Sequence, residues 1–315
     1  MKKNEQNMQG NLASISGAMP ETGSVGSGTP RKCGMTRRSL VAGAASAVMA
    51  LALLAGCGAT PKATDAGSAP KTAEDTSAAA TSKLIVGFDQ AYPPYGYVGD
   101  DGEYTGFDLD LARAVADELD WEVQLEAIDW EAKDALMDSG AINCIWNGFT
   151  MEGREDDYTF SDPYMLNGQV VVVKKDSGIK SLADLKGKVV ITQTDSAALD
   201  LLQGDKKDVA DTFKKLETIG DYNTAFMQLE SGAVDAVACD LSIAQYQLSA
   251  KPDAYTQLDE TLSSEHYAVG FKKGSDALAK KVTETLKAMD KDGFVKDLCE
   301  KYADYGISYD NWTLK

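Results

Sequence analysis

Between residues 83 and 305 the chain alternates short apolar runs with longer stretches in which apolar residues recur every three or four positions. The runs at Lys83–Phe88 (KLIVGF) and at 121–127, 141–146, 168–174, 188–192, 213–219, 234–239 and 266–271 have the length and composition of strands. The periodic stretches predict helices. One opens at Gly106-Phe-Asp108, with Asp108 as N-cap and Leu111, Val115 and Leu119 as its apolar stripe. Others cover 130–139, with Gly140 just past the end, 181–185, and a segment capped by Gln193-Thr194-Asp195-Ser196 that ends at Gly204. Asn223 is expected to cap a helix reaching Glu230, and Leu241–Ala250 forms the next. The last helices cover 275–289, with Leu278, Val282, Thr283 and Leu286 on one face, and 294–302 after a break at Gly293.

The β-α-β-α-β order up to 141–146 predicts an α/β domain with a largely parallel sheet. After 168–174 the alternation starts afresh. An internal echo supports two domains of one kind. Met137-Asp-Ser-Gly-Ala-Ile-Asn143 and Leu229-Glu-Ser-Gly-Ala-Val-Asp235 each join a helix to an apolar strand, and overlaying them places Gly148 on Asp240. Ser-Gly is also a common helix ending in its own right. The expected fold is two α/β domains joined by a two-crossing hinge. Domain 1 is 83–171 plus 266–315, and domain 2 is 172–265. A cleft where strand C-termini face each other is where ligands bind in such folds.

The first 82 residues follow neither pattern. Residues 1–34 are polar and rich in Gly and Ser. Met35, a candidate start codon, precedes Arg37-Arg38 and an apolar run of small residues over 39–55. This is the layout of a signal peptide, and the run is too short to span a membrane comfortably. The twin arginines fit Tat export and also occur in Sec signals. Leu54-Ala55-Gly56-Cys57 resembles the lipobox of bacterial lipoproteins, which implies cleavage before Cys57 and lipid attachment to its sulfur. Residues 1–56 are therefore expected to be leader and signal peptide, and 57–82 lipid anchor and flexible tether, since 58–82 holds almost no large apolar residue.

The whole chain carries a formal charge of −18. Six of its 31 basic and two of its 49 acidic residues precede Cys57, leaving 25 against 47 and a charge of −22. That balance argues against nucleic acid and anionic lipid as partners. Beyond Cys57 the cysteines are Cys144, Cys239 and Cys299, an odd number without metal spacing. With His266 as the only histidine, no zinc site is expected, and no other metal or cofactor is.

Candidate chemistry gathers at 141–169. The apolar run breaks at Asn147-Gly148, where backbone can approach a ligand, and Thr150 and Arg154 follow. An arginine fork matches a carboxylate in two parallel bonds. The same arginine is equally open to a surface ion pair with Glu152, Glu155 or Asp156. Asp89 and Tyr92 sit past the first strand in a loop stiffened by Pro93-Pro94, where Asp89 also suits a turn cap.

The segment from Lys83 to Tyr305 strongly resembles the extracytoplasmic solute-binding proteins of polar amino-acid ABC transporters. The resemblance rests on VGFDQAYPPYGY, GEYTGFDLDLARAVADEL, NGFTMEGRE, FSDPY, SLADLKGKVV and SGAVDAVACD, in that order. It implies that Arg154, with Gly148, Thr150 and the adjacent Asn147, receives an α-carboxylate. It implies that Asp240 meets the α-amino group and that Thr194, Asp195 and Ser196 also reach the ligand. It implies that Asp89, Tyr92 and Trp130 line the side-chain pocket. Asp89 and Glu126 suit a cationic or amide side chain. The chain departs from the family in four places. Thr150 to Arg154 is one residue shorter than usual. Asn143 stands where an Asp is common. The second helix opening reads Gln-Thr-Asp-Ser, which sets Asp195 against a carboxylate. Trp146 is unusual, as a shaper of the pocket or as core.

These readings imply a monomeric, lipid-anchored receptor on the extracytoplasmic face of the cell membrane. It would capture lysine, arginine, glutamine, histidine or cystine and deliver it to an ABC permease, without catalysis. A dehydratase resembling cyclohexadienyl dehydratase, or a sensory amino-acid receptor, are the alternatives.

Overall fold

The computed structural model describes residues 83–315. The leader, the lipobox Cys57 and the tether lie outside the described residues. The described chain begins with β1 (Lys83–Phe88) and a small antiparallel sheet of β2 (Ala91–Tyr92), β3 (Gly96–Val98) and β4 (Tyr104–Thr105). Then come α1 (Phe107–Glu118), β5 (Glu122–Ala127), a 3-10 turn over Trp130–Ala132, α2 (Lys133–Ser139), β6 (Cys144–Ile145), β7 (Tyr158–Phe160) and β8 (Met165–Asn167). The middle runs β9 (Gln169–Lys174), β10 (Val189–Gln193), α3 (Ala197–Gln203), α4 (Lys207–Ala210), β11 (Lys215–Ile219), α5 (Tyr222–Ser231), β12 (Ala236–Asp240), α6 (Leu241–Ala250) and β13 (Tyr255–Gln257). The chain closes with β14 (Glu265–Tyr267), β15 (Gly270–Lys272), α7 (Asp276–Lys291) and α8 (Phe294–Lys301).

Two five-stranded sheets result, ordered β5-β1-β6-β15-β7 and β11-β10-β12-β9-β13. In each, the first three strands are parallel and the last two run against their neighbours. The two α/β domains are connected where β8 and β14 pair antiparallel, Asn167 opposite Glu265. This ribbon is the hinge. Burial of Val170 to Val173 and of Leu84, Val86 and Phe88 explains why those runs read as continuous apolar strands, since both faces of these sheets are covered.

The internal echo is structural. Gly140 and Gly232 end α2 and α5 in the left-handed conformation, with φ of 75° and 79°. Two residues beyond the following alanines, Asn143 and Asp235 play one role. The Asn143 Oδ1 accepts the Ile85 N–H at 2.8 Å, and the Asp235 Oδ2 accepts the Val189 N–H at 2.8 Å. Each side chain fastens the incoming strand to its parallel neighbour. Asn143 adds a bond from its Nδ2 to the Lys83 carbonyl, which an aspartate would lose.

Local assignments differ from expectation in several places, among them 181–185, where Leu182–Leu185 is a 3-10 helix. Asp108 does not cap α1; Gly106 does, with φ of 137°, and a Cβ there would lie 2.3 Å from the Tyr95 carbonyl oxygen. Asn223 lies inside α5, whose cap is Asp221 accepting from Thr224 N. The apolar run 266–271 is two strands, since β14 belongs to the hinge and β15 to the first sheet. In 130–139 only Lys133–Ser139 is α-helical.

Candidate functional site

A small cavity of about 290 Å³ lies where the two sheets' loops meet. Tyr92, Trp130, Asn147, Gly148, Phe149, Thr150 and Arg154 line it from the first domain, and Gln193, Ser196, Ala197 and Asp240 from the second. Eight of the sequence-predicted residues are thus brought together. Asp89, Thr194 and Asp195 are not among them.

The loop after β6 is held from behind. Gly148, with φ of 58°, donates its N–H to Asp108 Oδ2 at 2.6 Å, and Tyr164 donates its hydroxyl to the same oxygen at 2.7 Å. Burial pushes the Asp108 carboxyl up to about 7, against the pull of these two bonds. The Gly148 amide is therefore already spent, which corrects the expectation that it serves a ligand carboxylate. The Thr150 hydroxyl is spent too, on Glu265 Oε1 at 2.8 Å. The cation of this loop is Arg154. Its guanidinium lies 5.1 Å from the centre of the Phe149 ring, bonds the Thr150 carbonyl at 3.2 Å, and reaches Asp200 of α3 at 3.3 Å. Asp200 belongs to the opposite domain, and none of Glu152, Glu155 and Asp156 pairs with this arginine.

Asp240 closes β12 and faces the cavity from the other side. Its Oδ1 accepts three bonds, from Asn167 Nδ2 at 2.9 Å, Gln169 Nε2 at 2.8 Å and the Tyr267 hydroxyl at 3.0 Å. The second oxygen takes none of them. Both amide nitrogens also donate to Glu265 Oε1, at 2.8 and 2.7 Å. Burial raises both carboxyls, and the charge of Asp240 raises Glu265 further; the donors oppose this.

Other expected site residues form the seam between the domains. The Asp89 carboxylate makes a turn with Ala91 N at 2.7 Å and accepts from Gln193 Nε2 at 2.8 Å. Burial raises its pKa. Asp195, at φ of 59°, pairs with the buried Lys133 of the other domain instead of entering the cavity, and its carbonyl accepts from Trp130 Nε1 at 3.1 Å. Thr194 donates its N–H to the Ile219 carbonyl. Glu126, on β5, lies outside the cavity, and its carboxylate accepts from Gln124. Trp146 is fully buried core beside Tyr164, 6.5 Å between ring centres.

Sequence reading missed Phe149, Gln193 and Ala197 as lining residues, and Asn167, Gln169, Glu265 and Tyr267 as the support of Asp240. Position in the NGFT loop and at the end of β10 could have flagged Phe149 and Gln193. Nothing local marks these residues, whose partners lie 27 to 98 positions away.

A family model described as bacterial extracellular solute-binding proteins, family 3, matches residues 84–305. The L-cystine-binding protein TcyJ of Escherichia coli K12 is 32% identical over 222 residues, spanning 70% of this chain and 82% of that protein. An ABC uptake transporter substrate-binding protein from Streptococcus pneumoniae, solved with bound histidine, superposes with a TM-score of 0.69 at 31% identity, over 72% of this chain and 95% of that one. An ancestral arginine-binding protein bound to arginine gives 0.64 at 36% identity, over 70% and 98%. Among the described residues no helix is long and apolar enough to cross a membrane.

Proposed function

The chain belongs to the bacterial extracellular solute-binding proteins of family 3, and on that premise we propose that it captures a polar L-amino acid for an ABC permease while anchored to the membrane through Cys57. One observation carries the reading. An arginine from one domain and a buried aspartate from the other open on the same cavity, between the aromatic faces of Tyr92, Trp130 and Phe149. Opposite charges on opposite walls match a zwitterion. Arg154 takes the α-carboxylate, and the unshared oxygen of Asp240 takes the α-ammonium. Each good charge-assisted bond is worth about 1.5–3 kcal/mol, so two or three together with aromatic packing are consistent with micromolar binding, roughly −8 kcal/mol. A ligand touching both walls favours the closed arrangement of the domains. Ser196 and Asn147 complete the walls, while Asp89, Thr194 and Asp195 act from the seam.

Relatives that bind cystine, histidine and arginine support the set lysine, arginine, glutamine, histidine and cystine as ligands. Thermal shift of the protein against the twenty amino acids, cystine and ornithine tests the reading. A ligand at a hundred times its dissociation constant adds about 2.7 kcal/mol. A raised melting temperature with one or two polar amino acids is expected. No shift with any of them, together with turnover of prephenate or arogenate, would replace the receptor with the dehydratase. Intact mass after membrane extraction checks lipid on Cys57.

A further inference from the structure

We propose that Asp240 and Glu265 form one carboxylate pair that shares a proton while the site is empty and releases it to solvent when a ligand's α-ammonium enters, so that Glu265 is a positioning residue of the ammonium site and binding is proton-linked. The inference rests on the ligand reading of Asp240 above.

The geometry is a bridged pair. The Asn167 and Gln169 amide nitrogens each lie within 2.9 Å of Asp240 Oδ1 and of Glu265 Oε1, so two donor groups hold two carboxylates together. Both residues are nearly fully buried, 4% and 3% exposed. No lysine, arginine or histidine pairs with either among the described residues. Two adjacent buried carboxylates without a cation do not both stay ionised. The groups packed directly against the pair are neutral. Asp240 is faced by Tyr92 of β2, Tyr95, Tyr222 of α5 and Tyr267 of β14, with Cys239 beside it, and burial pushes all of these up, so they remain neutral. Glu265 is faced by the Thr150 and Ser263 hydroxyls. The neighbouring His266 turns outward to Glu152, 2.7 Å away. Arg154 shares the cavity but is engaged by Thr150 and Asp200. An entering ammonium is then the counter-ion the pair lacks. It keeps its own protons, both carboxyls ionise, and the displaced proton goes to buffer.

The test is Glu265→Gln. Its amide oxygen accepts the same three donors and its NH2 reaches Ser263, so the bridge survives without the titrating group. Calorimetry with L-arginine, L-histidine, L-glutamine and L-cystine is run in buffers of unlike ionisation enthalpy. Wild type should release up to about one proton per ligand and gain affinity by up to about tenfold per pH unit across the titration. Glu265→Gln should bind one ligand while losing most of both effects. Binding without proton release in wild type, or equal release in the variant, would overturn the pair but leave the receptor standing. If neither these four nor L-lysine binds, the receptor reading fails instead, and melting of the empty proteins still decides on the pair. The raised carboxyls penalise the fold increasingly as pH climbs, so Glu265→Gln should gain on wild type from pH 4.5 to 8. A constant difference would refute the shared proton.

Discussion

Gly148 gives its backbone N–H to the buried carboxylate of Asp108, 40 residues earlier, across 2.6 Å. The cavity loop is thus shaped by a group that never touches the cavity. Its titration follows from its burial. A folded-state pKa near 7, above the unfolded value, gives a stability contribution that is complete at low pH and lost as pH rises through 7. Asp108→Asn keeps an acceptor for Gly148 and Tyr164 and removes the ionisation. Its melting temperature should climb relative to wild type between pH 5 and 8.5, at about 1.4 kcal/mol per unit of displaced pKa. A difference that stays level with pH in differential scanning fluorimetry would contradict this.

Arg154→Ala should weaken ligand binding by a hundredfold or more, at about 1.5–3 kcal/mol for each of two charge-assisted bonds. The ligand-free fold should lose under about 1 kcal/mol, because the Asp200 partner is largely exposed. Asp240→Asn should be equally damaging to binding, since an amide NH2 then faces the ammonium. Asp240→Ala is a poorer probe, as it strands the donors of Asn167, Gln169 and Tyr267 in the interior. Isothermal titration beside a melting curve separates the two effects.

Asp195→Ala removes the partner of Lys133, whose side chain is 3% exposed, from across the seam. A stranded buried cation disfavours closure. Ligand affinity should fall roughly 5- to 20-fold, about 1–2 kcal/mol, although Asp195 does not line the cavity. Small-angle scattering should show a more open ligand-free molecule. Unchanged affinity would mean the pair forms equally well when the domains are apart.

Gly270→Ala places a methyl 2.7 Å from the Phe149 ring, on which Arg154 rests. Overpacking of this kind costs about 1–3 kcal/mol. The variant should lose both melting temperature and affinity, whereas Gly102→Ala, far from any neighbour but at φ of 84°, should affect stability alone.

The order of strands and helices was legible because both sheets bury two faces, so their inner strands, such as β1 and β9, are largely apolar and their helices amphipathic. The echo around Ser-Gly-Ala was legible too, since Asn143 and Asp235 sit directly before the strands β6 and β12 that they fasten to earlier neighbours. Strand 266–271 was not, because an apolar run carries no mark where it leaves one sheet for another. Most of the cavity wall followed from the resemblance, residue by residue. Its support did not. Asp108, Glu265 and Gln169 act on groups brought near only by the closed fold, and each reads in sequence as an ordinary cap, surface acid or strand end.

The hinge ribbon pairs Asn167 with Glu265, and both residues hold the bridge beneath Asp240. Thr150 fastens the first domain to that bridge and Gln169 the second. Bending at the waist therefore has to stretch the same few bonds that shape the socket for the ammonium. On the receptor reading proposed above, opening the jaws and loosening the grip become one motion, so release onto a permease would need no second trigger once the waist is flexed.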